Sequence, residues 1–172
     1  MTQTEPLTWP VALAEIPPSG IRASRRLSKR ECVALASRAG IEAVDSLAAT
    51  VEIRPWADGV EVDMSFVADV VQSCVVTLEP VRGHIEERFV RRYLPGLDLD
   101  VEGEVQVAPG EEDPPEPLVG DTLDLAAPLT EQLILSLDPY PRAPGAVLPD
   151  AAAGMPDKTS PFAVLESLKR KN

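Results

Sequence analysis

Between Gly59 and Val71 the chain alternates with a period of two. Val60, Val62, Met64, Phe66, Ala68 and Val70 are interleaved with Glu61, Asp63, Ser65, Val67, Asp69 and Val71. That pattern suits a strand with one face in a core and the other in water, the second face turning apolar near its end. It constrains its neighbours, because such a strand needs partners with the same alternation. Trp56-Ala57-Asp58-Gly59 supplies a hairpin turn before it, and Leu47 to Arg54 reads as the strand that enters the turn. Cys74 to Val76 also favours a strand. In Arg82 to Leu94, Ile85, Phe89 and Tyr93 fit one helix face or alternate positions of a strand. Pro80 and Pro95 bracket a length that suits a strand, and the neighbouring strands require a partner. Leu97, Leu99, Val101, Val105 and Val107 alternate with Asp98, Asp100, Glu102, Glu104 and Gln106, predicting an edge strand with an acidic outer face. Only 4% of the residues are aromatic, so valine, leucine and alanine must fill the core.

Two helices punctuate these strands. Ser28-Lys29-Arg30-Glu31 reads as a capping box, Cys32, Leu35, Ala36 and Ala39 share a face, and Gly40 can end the helix in the left-handed conformation. A second helix is predicted from Asp124, its cap, to Leu137, with Pro128 in the first turn and Leu125, Leu129, Leu133 and Leu137 as its stripe. The expected fold class is α+β: a mostly antiparallel sheet, able to curl toward a barrel, two main helices and a short C-terminal helix. The eighteen prolines cluster outside these elements. Residues 1–20 form an N-terminal arm in which Trp9, Val11 and Leu13 alternate as an edge strand. Residues 21–141 form the α+β domain, including an acidic proline-rich linker at 108–120. Residues 142–172 form a mobile tail with a short helix at 161–170, where Phe162, Leu165 and Leu168 share a side.

Charge is distributed unevenly. The net charge of −12 argues against bulk attraction to nucleic acid. Ten acids and no base lie between Leu97 and Asp124, whereas Arg22, Arg25, Arg26, Lys29 and Arg30 form a run of five bases without an acid. The basic run is the candidate RNA contact, able to touch several phosphates, although such runs commonly serve as solvated flanks. No aromatic interleaves it, so base-specific reading is not supported. Pairing with the acidic segment inside the molecule is the other reading. The acidic stretch, with Glu111, Glu112, Asp113 and Glu116 at its centre, is either solvation or a contact for a basic partner.

Catalytic and metal motifs are missing from the sequence. Its one histidine, His84, lies on a polar strand face beside Glu86, and no nucleophile elbow, phosphate loop or dinucleotide fingerprint is present. No small-molecule substrate or cofactor is implied. Cys32 and Cys74 are too few for a disulfide framework. The start of the chain lacks a secretory signal pattern and no apolar run approaches a membrane span, so the expectation is a cytoplasmic protein without a membrane partner.

Three segments carry a resemblance: Ser73-Cys74-Val75-Val76-Thr77-Leu78-Glu79-Pro80-Val81, then Glu131 through Asp138-Pro139-Tyr140-Pro141-Arg142, then Pro161-Phe162-Ala163-Val164-Leu165. In this order they resemble the YceD family, also called DUF177. The signature positions are Cys74, Pro80, Glu131, Asp138, Pro139, Tyr140, Pro161 and Phe162. The resemblance implies a non-catalytic factor in processing or accumulation of the large-subunit (23S) ribosomal RNA and in ribosome biogenesis, with rRNA or a large-subunit precursor particle as partner. The alternative is an acidic adaptor or chaperone that holds a basic ribosomal protein without touching RNA. Many members of the family carry Cys-x-x-Cys at the first segment and a second cysteine pair later. Here Thr77 stands at the fourth position and residues 138–145 contain no cysteine, so no zinc site is expected.

Overall fold

The structure is a computed structural model, and it describes residues 7–96 and 114–147. Its elements run β1 (Pro10–Ala12), a single 3-10 turn (Leu13–Glu15), β2 (Ile21–Arg26), α1 (Lys29–Ala39), β3 (Ala43–Trp56), β4 (Gly59–Ser73), β5 (Pro80–Pro95), β6 (Glu116–Leu118), β7 (Thr122–Asp124) and α2 (Ala126–Leu135). The main sheet has the order β2-β3-β4-β5-β6, antiparallel except for the β5–β6 pair. β1 and β7 pair antiparallel in a separate two-stranded sheet. The architecture is α+β, as the alternation predicts. Among the described residues the sheet does not close into a barrel, because β2 and β6 stand at opposite edges.

The period of two in β4 does what it implies. Val62, Met64 and Ala68 are fully buried on one face, with Val51 and Ile53 of β3 beside them. The turn at Trp56–Gly59 joins β3 to β4, with Ala57 in the left-handed region at φ 49. Gly59 is required there, since a Cβ would stand 1.9 Å from the Tyr93 carbonyl oxygen. β5 is a strand over its whole length, resolving the ambiguity of Ile85, Phe89 and Tyr93: all three turn to the core side, and Tyr93 is buried.

α1 lies on the core side of β3 and meets α2. Both halves of the capping box form: Ser28 N donates to Glu31 Oε2 at 2.7 Å, and Glu31 N donates to Ser28 Oγ at 3.4 Å. Gly40 ends the helix at φ 68. Leu35 from α1 and Leu125, Leu129 and Leu133 from the α2 region close over Leu47, Val51 and Phe66 in one core. One face of the main sheet is therefore covered, while among the described residues no helix lies on the other.

Several details depart from the sequence reading. Residues 21–26, the basic stretch to which the sequence reading assigns no element, form strand β2. Cys74 to Val76 leaves the sheet as a turn, not a strand, because β4 ends at Ser73. The arm pairs only over Pro10–Ala12, and from Leu13 it coils into the 3-10 turn. Part of the linker, Glu116–Leu118, joins the sheet as β6. α2 starts two residues later than predicted. Asp124 still serves its start, accepting from Ala126 N at 3.0 Å and from Trp9 N at 2.6 Å, which fastens the arm to the helix. The predicted strand at 97–107 and helix at 161–170 lie outside the described residues. No helix among the described residues is long and apolar enough to cross a membrane.

Candidate functional site

The basic run is divided by the pleat of β2. Arg22 and Arg26 are exposed on the uncovered face of the sheet, together with Ser24. Arg25 points the other way. It pairs with Glu31, donates from Nη1 to the Thr8 carbonyl at 2.6 Å, and lies 5.7 Å from the centre of the Trp9 ring. The Ser28 amide and hydroxyl, followed by the Arg25 charge, hold the Glu31 carboxyl below its usual range. Arg25 thus ties arm, strand and helix together. Lys29 and Arg30 are exposed in the first turn of α1, just beyond the end of β2.

The uncovered face is laid out by strand register. Along one row Ser24, Thr50, Ser65 and Arg88 stand opposite one another across four strands. The Ser24 and Thr50 hydroxyls are 3.1 Å apart. On either side, arginines hold carboxylates, across strands or, for Arg54 and Glu52, along β3. Arg88 holds Asp63 through two bonds of 2.8 and 2.5 Å, Arg92 reaches Glu61 at 2.9 Å, Arg54 reaches Glu52 at 2.8 Å and Arg82 reaches Asp45 at 2.7 Å. The Arg88 hydrogen bonds keep the Asp63 carboxyl low. Arg22 and Arg26 make no ion pair among the described residues. Between them and β5 lies a shallow depression of about 620 Å³ with a floor of small side chains, Ala48, Thr50, Ser65 and Val67. A smaller hollow of about 250 Å³ adjoins it beneath Arg22, sharing Thr50, Ser65 and Arg88. Trp56 stands at the far end of the face, with the Arg92 guanidinium 4.9 Å from its ring centre.

A second row on this face joins Ser46, Asp69 and His84. Ser46 Oγ donates to Asp69 Oδ2 at 2.8 Å, and His84 Nδ1 meets Asp69 Oδ1 at 2.8 Å. These two bonds hold the Asp69 carboxyl low, His84 contributing most. The residue types are those of a hydrolytic triad, but the order is not. The carboxylate sits between serine and histidine, so the imidazole cannot take the hydroxyl proton as a triad base does. The row functions as a cross-strand polar pairing.

Two of the signature segments meet at the turn after β4. Val75 N donates to the Pro141 carbonyl at 2.9 Å, and the Gln72 side chain donates to the Asp138 carbonyl at 2.8 Å. Asp138 Oδ1 caps Tyr140 N at 2.9 Å, while the Tyr140 ring is 72% exposed. Pro80 begins β5 opposite Ser73. At the centre is the buried Cys74 sulfur, which accepts backbone N–H groups from Ala143 at 3.3 Å and from Val76 and Thr77 at 3.4 Å. The Ala143 N–H, then the Thr77 hydroxyl, outweigh burial and bring the thiol down to about 6. These surroundings do not fit zinc. One thiolate is present, and the groups aimed at it are donors that occupy its lone pairs, whereas a metal needs three more lone pairs of its own. Among the described residues no group of three or more His, Cys, Asp or Glu is placed to hold a metal ion. Cys32 is also free and buried, and burial pushes its thiol up.

Glu131 and Glu116 converge on one cation. Arg91 of β5 pairs with Glu116 of β6 and, at 3.3 Å, with Glu131 of α2. Glu116 is therefore engaged inside the molecule, in an element that closes the sheet edge. Burial, and secondarily the Glu116 charge, push the neighbouring Tyr93 phenol well above its usual range. Glu111, Glu112 and Asp113, and likewise Pro161 and Phe162, lie outside the described residues. The sequence reading missed the pairing of β2 with β3, and with it the separation of Arg22 and Arg26 from Arg25. The alternation of Ile21 and Ala23 was the available signal.

A family model described as "Large ribosomal RNA subunit accumulation protein YceD" matches residues 62–169, well over half of the chain. No curated protein and no solved structure matches the chain. The matched stretch runs from β4 through α2 and beyond, and includes all three signature segments. It does not include β2 or α1, so the basic residues 22–30 stand on their geometry alone.

Proposed function

This chain belongs to the YceD family, and we propose that it is a non-catalytic factor for accumulation of the large-subunit (23S) ribosomal RNA. It acts in the cytoplasm by associating with that RNA or with a precursor particle during ribosome biogenesis. The observation that carries this reading is the family match over residues 62–169. The chemistry of the uncovered face agrees with a binding role. Many of its titratable groups are tied up in pairs, Arg88 with Asp63 and His84 with Asp69 among them, and do not converge on a point where a reaction could be held.

Sedimentation of tagged protein from a gentle lysate through a sucrose gradient tests the reading. Comigration with particles that contain large-subunit precursor RNA, lost after RNase treatment, is the expected result. A position at the top of the gradient, alone or with one basic protein, overturns it in favour of an adaptor. That adaptor would rely on Glu111, Glu112 and Asp113, since Glu116 already has Arg91 as its partner.

A further inference from the structure

We infer that the uncovered face of the main sheet is a seat for single-stranded RNA, with phosphates of one strand on Arg22 and Arg26 and the sugars and bases over the floor of Ala48, Thr50, Ser65 and Val67. This rests on the rRNA reading above and names the surface and the form of RNA it takes.

Charge is the first argument. In a chain of net charge −12, β2 presents two guanidiniums on one face with no carboxylate partner among the described residues. The acids nearest to Arg22 in register are already engaged, Glu52 by Arg54 and Asp63 by Arg88, and the row of Arg26 meets no acid before Glu86 on β5. Geometry is the second. Arg22 and Arg26 are four residues apart on an extended strand, about 13 Å, a span that takes more than one phosphate. The depression beside them is open and floored by short side chains, and three hydroxyl-bearing or small positions, Ser24, Thr50 and Ser65, offer hydrogen bonds to riboses. Glu86 on the opposite rim repels phosphate, so the backbone is confined to the β2 side while donors on sugar or base face β5. The floor has no aromatic ring, which removes base stacking and leaves a site indifferent to sequence.

The test is binding of fluorescent oligouridylate and oligoadenylate of equal length to the full chain across a salt series. Wild type binds both with similar affinity. R22Q/R26Q, which removes two exposed side chains and leaves the ladders intact, lowers affinity roughly tenfold at low salt. It also flattens the slope of log affinity against log salt by about 1.4, close to 0.7 for each phosphate released. Ala48→Glu sets a carboxylate directly opposite Arg26 in register and gives a comparable loss without removing a cation. K29Q/R30Q has the smaller effect. Circular dichroism establishes that each variant is folded. The proposal is overturned if wild type binds neither homopolymer, if R22Q/R26Q keeps wild-type affinity and slope, or if K29Q/R30Q alone carries the loss. Its failure is separable from that of the factor reading. Comigration of both wild type and R22Q/R26Q with precursor particles would remove this face as the contact and leave the factor standing.

Discussion

Single residues in this molecule take their character from backbone groups that only the folded chain brings to them. Cys74 is the clearest case. In sequence it is one apolar-looking residue between Ser73 and Val75, and nothing local says that Ala143 will reach its sulfur. The fold supplies N–H groups from Val76, Thr77 and Ala143 and lowers the thiol to about 6, against about 8.5 for a cysteine in an unfolded chain. The native state therefore favours the thiolate. An acid depressed on folding adds stability that is complete above the unfolded pKa and is lost as pH falls through the folded one. The stability difference between wild type and Cys74→Ala should accordingly widen as pH rises from about 6 to about 8.5 and level off beyond. Urea denaturation of both proteins across that window reads it directly. A difference that stays constant with pH would mean that the sulfur is held as a neutral thiol.

Elements were legible in proportion to how much apolar pattern they carry. β4 and β3 could be read outright because each has a full row of buried side chains, and α1 because Ser28 and Glu31 sit at capping-box spacing. β2 was hidden by its own chemistry. Only Ile21 and Ala23 mark its core face, and the third inward position is Arg25, whose charge is satisfied by Glu31 and the Thr8 carbonyl. Its place in the sheet comes from backbone pairing with β3, which side-chain periodicity does not report. β1, β6 and β7, at three residues each, are too short to have a period. Bases near a helix N-terminus are opposed by its dipole, and Arg25 is spared much of that cost because Glu31 neutralises its charge. Ser28→Ala should cost about 1 kcal/mol, the usual worth of an N-cap side chain. Glu31→Ala should cost more, because it removes half of the capping box and leaves Arg25 without its carboxylate. Equal losses in urea midpoints for the two variants would show that the Arg25 pair adds nothing to the cap.

At the scale of the molecule, the feature that matters is that the described helices cover the sheet on one face only. α1 and α2 take one face, and the buried side chains of β3 and β4 point to it, apart from Val71 near the end of β4. The other face holds the candidate RNA seat, and no element among the described residues covers it. Adjacent residues of β4 must then respond oppositely to the same change. Met64 is fully buried, whereas Ser65 is exposed on the floor of the depression. A lysine at 64 would bury an ammonium among Val51, Val62 and Phe66 with nothing to pair it, a cost of about 3–5 kcal/mol and a large share of the stability of a domain this size. A lysine at 65 stands in water, and its effect on stability should stay within about 0.5 kcal/mol. Met64→Lys is expected to unfold at much lower urea, or not to fold at all, while Ser65→Lys keeps the wild-type midpoint. If the two variants lose stability alike, the uncovered face is closed in the native protein and the seat assigned to RNA is occupied by the chain itself. If Ser65→Lys is neutral, the same protein adds a cation between Arg22 and Arg88, and its affinity for oligouridylate should rise where that of R22Q/R26Q falls.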